Sequence, residues 1–155
     1  MYLSELTSYK LKLIQLITSN EAIINLLAKP DEKSDDAESL VYKKIYPYGY
    51  IPDVNTEQDV FICFDVDVPR VRHGNMIKDV AVHIYVLAHK ELMRVGNKLR
   101  IDALANEIDK QFDRNSKFGF DLLLVSAKRF MAAEGYYGLD LYFEAPDFNS
   151  TNGRQ

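Results

Sequence analysis

The stretch from Asn97 to Asp113, NKLRIDALANEIDKQFD, limits what this chain can fold into more than any other. Ile101, Leu104, Ala105, Ile108 and Phe112 recur at a helical period, so one apolar stripe runs along one side. Asp102, Asn106, Asp109, Lys110 and Asp113 take the other side, and Asn97 is placed to accept the first free backbone N–H groups as N-cap. Two strand-like runs precede this helix and two follow it. A helix with one oily stripe between two hairpins buries that stripe by lying across the sheet the strands make.

The first strand has the cleanest alternation. Val60, Ile62, Phe64, Val66 and Val68 alternate with Phe61, Cys63, Asp65 and Asp67, and Pro69 is expected to end it. PRVRHGNM then reads as a long hairpin tip. The second strand, Asp79 to His89, sets Val80, Val82, Ile84, Val86 and Ala88 on one face. Its other face, Ala81, His83, Tyr85, Leu87 and His89, is amphipathic. A third strand is expected over Phe118–Lys128 and a fourth over Tyr136–Ala145, with Gly135 and Gly138 allowing the turn between them.

Upstream, Leu6, Tyr9, Leu13, Leu16 and Ile17 form a helical stripe with Ser4 as cap. A shorter helical run, EAIINLLAK, is stopped by Pro30. Leu40 to Tyr46 fits either a short helix or an extended segment, and YPYGYIP reads as a fixed surface loop between Pro47 and Pro52. The expected fold is α+β: one mainly antiparallel four-stranded sheet in helix–hairpin–helix–hairpin order, with the helices packed on one face. Strands of this length reach roughly 35 Å and the central helix roughly 22 Å. The uncovered part of the sheet calls for the N-terminal helix or a neighbouring subunit.

A chain of 155 residues, 47% hydrophobic and 27% charged, is expected to be one domain, 1–155, with a real core. A net charge of −4 argues against a broad surface for gripping phosphates. The lone Cys63 rules out an internal disulfide framework and suits a reducing compartment. No run has the length of a membrane span, and the N-terminus lacks the apolar core of a signal peptide. Residues 31–38, DEKSDDAE, carry six charges, five of them acidic, and are expected to form an exposed acidic loop. Residues 147–155 are expected to be a loose tail.

Several residues carry candidate chemistry. Asp65 and Asp67 form a D-x-D on one strand face, the spacing with which two carboxylates hold a divalent metal in a nuclease. The alternative, preferred here, is the solvent side of a half-exposed strand. His83 and His89 lie about 20 Å apart by strand rise and are too distant to share one ion. Cys63 has no cationic sequence neighbour and reads as an inert thiol. None of the common nucleotide-binding or hydrolase motifs occurs. Tyr42, Tyr46, Tyr48 and Tyr50 cluster around the Pro-bounded loop, and Tyr136 and Tyr137 sit in the last hairpin turn. Such rings either make protein–protein contacts or close the ends of the core. Arg70, Arg72 and His73, at the first hairpin tip, are candidates for meeting an acidic partner.

The phrases IYPYGYIPDVNTEQDVFICFDVDVPRV, KDVAVHIYVLAHKELMRV, RIDALANEIDKQF, VSAKRF and YYGLDLYFEAPDFN resemble a family of small virion proteins of tailed bacteriophages. Members are placed in the neck as head–tail joining, tail completion or tail terminator proteins, and the similarity runs from about Leu40 to Asn149. It implies a non-enzymatic subunit with no cofactor. The subunit would assemble with itself as a ring, typically a hexamer, in the virion neck, formed in the host cytoplasm. The partners implied are the tail tube protein and the head connector or adaptor, with DNA only in passage and no membrane. On that reading Tyr42, Tyr46, Tyr48, Tyr50, Arg70, Arg72 and His73 are interface candidates, and Asp31, Asp35, Asp36 and Glu38 line a lumen or rim. The rival expectations are a small metal-dependent nuclease using Asp65 and Asp67, and a cytosolic protein-binding adaptor.

Overall fold

The computed structural model describes residues 3, 5–29, 36–52, 58–72, 74, 77–113 and 122–148. Helices α1 (Glu5–Thr18) and α2 (Glu21–Leu27) open the chain, and α3 (Arg100–Phe112) divides the strands into two groups. The main sheet contains β1 (Ile45–Tyr46), β2 (Val60–Arg72), β3 (Ile77–His89), β6 (Leu123–Ala133) and β7 (Tyr136–Phe148), in the order β1-β2-β3-β7-β6. A separate small hairpin joins β4 (Arg94–Val95) to β5 (Lys98–Leu99). The architecture is α+β with a mainly antiparallel sheet, as the periodicities predict.

Among the described residues the sheet has five strands, one more than expected. The extra one, β1, runs parallel to β2, with Ile45 opposite Ile62 and Tyr46 opposite Cys63. Two residues are too few to show a period in sequence. On the covered face, Val60, Ile62, Phe64 and Val66 of β2 join Val80, Val82, Ile84, Val86 and Ala88 of β3 and Leu139, Leu141 and Phe143 of β7. Tyr9, Leu13, Leu16 and Ile17 of α1 and Ile101, Leu104, Ile108 and Phe112 of α3 close the same core. Truncating Leu104 or Ile108 to Ala there costs about 2–5 kcal/mol. Asn20 caps α2 by accepting from Ile23 N at 3.2 Å, and its amide donates to Gln111 Oε1 at 3.1 Å, fastening α2 to α3.

Several boundaries differ from the sequence reading. Asn97 does not cap α3. It lies in the turn of the β4–β5 hairpin beside Gly96, whose φ of 58° suits a tight turn. The helix starts after Leu99, which offers no side-chain cap, and Arg100 N instead donates to Met93 O at 2.6 Å. The buried Arg100 guanidinium donates to Leu26 O at 2.6 Å, satisfying a carbonyl at the end of α2, and to Leu92 O at 2.7 Å, in the turn after β3. Desolvation pulls its pKa below the usual arginine value.

Pro69 does not end β2. The register slips between Asp67, opposite Ala81, and Arg70, opposite Asp79, so the proline sits within a bulge and the strand continues to Arg72. The hairpin tip is correspondingly shorter than PRVRHGNM. The third strand starts at Leu123, with 118–121 of its expected range outside the described residues, and runs to Ala133. The fourth runs to Phe148, so residues 147 and 148 belong to a strand, while 149–155 lie outside the described residues. Of the expected exposed acidic loop, Asp36 and Glu38 are described, and both are exposed. Asp36 caps a 3-10 turn over Ala37–Leu40, its side chain accepting from Glu38 N. Asp31, Asp35 and the rest of 31–35 fall outside the described residues, as do Ser4 and His73.

Candidate interaction surfaces

Among the described residues the helices cover one face of the sheet and leave the other without a helix. A smaller apolar cluster lies on the open face: Tyr46, Phe61, Cys63, Leu87 and Tyr136, with Tyr50, Tyr85 and Phe130 against it. The clustered tyrosines therefore divide. Tyr46 is only 8% exposed and stacks on Tyr50 with ring centroids 4.0 Å apart and planes within 4°. Its hydroxyl donates to Lys43 O at 3.0 Å, and burial, helped by Tyr50, pushes its pKa up to about 12. Tyr46 and Tyr50 close the core end. Tyr42, 63% exposed, and the exposed Tyr48 point outward from the same cluster, with ring centroids 6.5 Å apart. Tyr42 also holds φ at 67°, a left-handed conformation uncommon for an aromatic residue.

Arg70 is anchored across the sheet. Its Nε donates to Asp79 Oδ2 at 3.0 Å and its Nη2 to Glu144 Oε1 at 2.8 Å, while Tyr142 donates to Glu144 Oε2 at 2.9 Å. The bulge at Pro69 makes this possible, because an unbroken ladder from Asp67 would bring Pro69 opposite Asp79. Arg70 is thus already engaged by two carboxylates. The side chain of Arg72, with His73, lies outside what is described.

Asp65 and Asp67 share the open face, but they do not form a matched pair of metal ligands. Lys10 Nζ, reaching over from α1, lies 3.1 Å from Asp65 Oδ1, and Asp67 Oδ2 lies 3.9 Å from His83 Nε2. His83 Nδ1 is 3.3 Å from Asp140 Oδ1, and its ring stacks on Tyr85 within 7°. Among the described residues no group of three His, Cys, Asp or Glu is arranged to hold a metal ion. His89 is far along the strand, accepting from Glu91 N at 3.2 Å and packing edge-on to Tyr136. The Cys63 thiol is buried, and desolvation raises its pKa, the opposite of what an activated nucleophile needs. Burial likewise raises the pKa of Tyr85 and of Tyr136.

The sequence reading passed over the far edge of the sheet. β6 is the last strand and pairs only with β7, so its outer backbone groups have no strand partner among the described residues. It also exposes apolar side chains towards both ends, Leu123, Leu124 and Val125 at 59% at one and Met131 at 65% at the other, with the exposed Lys128 and Arg129 between them and Tyr137 of β7 beside Met131. The signal was the LLV run at 123–125. Consecutive apolar residues in a strand covered on one face must put at least one into solvent. An unpaired strand edge with exposed apolar side chains can template another chain, and the Lys128 and Arg129 charges and the two register shifts of β6 restrict which chain can pair there.

These features define a small α+β protein whose sheet, among the described residues, has an unpaired β6 edge and one face without a helix on it. The chain belongs to the YomW family, whose model matches residues 20–145. That name is of the kind found in Bacillus phage and prophage genes, which makes the family phage-associated; the name itself carries no neck role. No curated protein matches the chain.

Proposed function

We propose that this chain is a structural protein of a tailed-phage neck, assembling with copies of itself into a closed ring that terminates the tail tube and joins it to the head connector. The observation that carries the reading is the bare β6 edge with its exposed Val125 and Met131. A sheet edge supplies directional backbone hydrogen bonds, and the apolar side chains supply area to bury. Self-pairing of β6 about its midpoint would set Lys128 against its own copy, and like charges directly opposite are unfavourable. The edge therefore favours a different surface of the next subunit, the head-to-tail contact that closes into rings.

The phage-associated family supports the same reading, as does the resemblance to neck proteins. Tyr42, Tyr48 and Tyr137 are exposed tyrosines with area left to bury against a partner. On this reading Asp36 and Glu38 face the lumen or rim, where negative charge keeps passing DNA from sticking. The nuclease alternative gains no support from Asp65, whose carboxylate is occupied by Lys10.

The test is to label the chain with a small affinity tag in phage particles and locate the tag by gold-conjugate electron microscopy. Gold at the junction of head and tail is the expected result. Complete particles without the chain, or gold confined to another part of the virion, would overturn the assignment.

A further inference from the structure

The open face dips into a trough of about 490 Å³ between the Gly49–Ile51 loop and the side chains of β6. Tyr50 and Ile51 form one wall, Phe130 the other, and Tyr85 and Leu87 the floor. Phe130 can lie down over the sheet because its cross-strand neighbour is Gly138. A Cβ there would sit 2.9 Å from the Phe130 ring and 2.5 Å from Val86 O. The ring then meets Tyr85 edge-on, with centroids 5.7 Å apart. The trough is thus a built feature, shaped by a glycine, with a volume in the range of ligand sites, about 300–1,000 Å³.

One end of this aromatic trough is acidic. Asp65 is neutralised by Lys10, and Asp140 is engaged by His83. Asp67 is different: its side chain is 57% exposed, and its nearest potential cation among the described residues is His83 at 3.9 Å. That combination selects the occupant. A purely apolar segment would desolvate Asp67 without replacing its hydrogen bonds, and an anion would be repelled. A long basic side chain satisfies both ends, laying its stem and charge against aromatic faces and its donors on the carboxylate.

We propose that the trough receives an arginine or lysine carried on an extended, otherwise apolar segment of another protein. Its volume holds more than one side chain, so the residues flanking the cation pack against Ile51 and Leu87. This docking stands apart from the ring contact, since it uses the face of the sheet and not the β6 edge.

The experiment uses two blocked peptides, Ala-Leu-Arg-Leu-Ala and Ala-Leu-Gln-Leu-Ala, titrated into the full chain and followed by amide and aromatic NMR shifts. Saturable shifts centred on Tyr85, Phe130 and His83 are expected. The arginine peptide should bind roughly tenfold tighter than the glutamine one, as a charge-assisted hydrogen bond provides. That advantage should shrink with added salt and vanish in Asp67→Asn, an exposed substitution that keeps the fold. Equal binding of the two peptides, discrimination that survives Asp67→Asn, or no saturable shift at millimolar peptide would each overturn the proposal. Tyr85 and Phe130 shifts that follow protein concentration alone would assign the trough to a second copy, and would overturn it as well.

Discussion

Tyr46 offers a way to separate the tyrosines that hold the fold from those left free for a partner. In Tyr46→Phe the ring stack on Tyr50 is kept and only the hydroxyl, which donates to Lys43 O at 3.0 Å, is lost. Near neutral pH the variant should be less stable by about 1 kcal/mol, the usual net value of one such bond. The same phenol has its pKa raised from 10.0 to about 12 by burial. A folded pKa above the unfolded one means that the native state holds its proton longer, so stability is complete below pH 10 and is lost as the pH climbs towards 12. At about pH 11 the wild type should have lost roughly 1.4 kcal/mol through this one group, a loss the phenylalanine variant escapes. The difference between the two proteins should therefore close near that pH and reverse above it. Urea unfolding at a series of pH values measures it, with Tyr48→Phe as the solvent-facing control. A constant gap across the series would refute the reasoning, because it would mean that the Tyr46 hydroxyl is no more buried in the folded chain than in the unfolded one.

Two further substitutions test the frame that holds these surfaces. Gly138→Ala places a methyl 2.5 Å from Val86 O and against the Phe130 ring, so it should cost about 1–3 kcal/mol by thermal unfolding and displace Phe130 from the trough. Arg100→Met removes the donors to Leu92 O and Leu26 O and should cost about 2–4 kcal/mol in urea unfolding. Amide exchange in that variant should rise first at the end of α2.

Sequence periodicity was enough to place α3 on the sheet and to assign the covered faces of β2 and β3, because burial on one side imposes a pattern every few residues. The features it missed have no period. β1 is two residues long, and its place in the sheet depends on a parallel partner far along the chain. Asn97 has the chemistry of a cap, yet the turn of the β4–β5 hairpin claims it and the backbone of Met93 takes over the helix start. Pro69 looks like a strand terminator only until the bulge takes it out of the ladder, where no N–H donor is needed. The tyrosines of 42–50 were read as one group. Their division into Tyr46 and Tyr50 inside, Tyr42 and Tyr48 outside, depends on Phe61 and Tyr136, which come from other strands. The bare β6 edge was visible only as a run of apolar residues too dense for one face.

Association of the chain with itself through that edge is best tested by native mass measurement on the wild type and on a Val125→Lys, Met131→Lys variant. Both positions are largely exposed, so the variant's stability should stay within about 0.5 kcal/mol of the wild type. The wild type should populate a single closed oligomer and the variant should run as a folded monomer. Identical oligomers from both proteins, or a wild type that stays monomeric up to high concentration, would contradict assembly through β6.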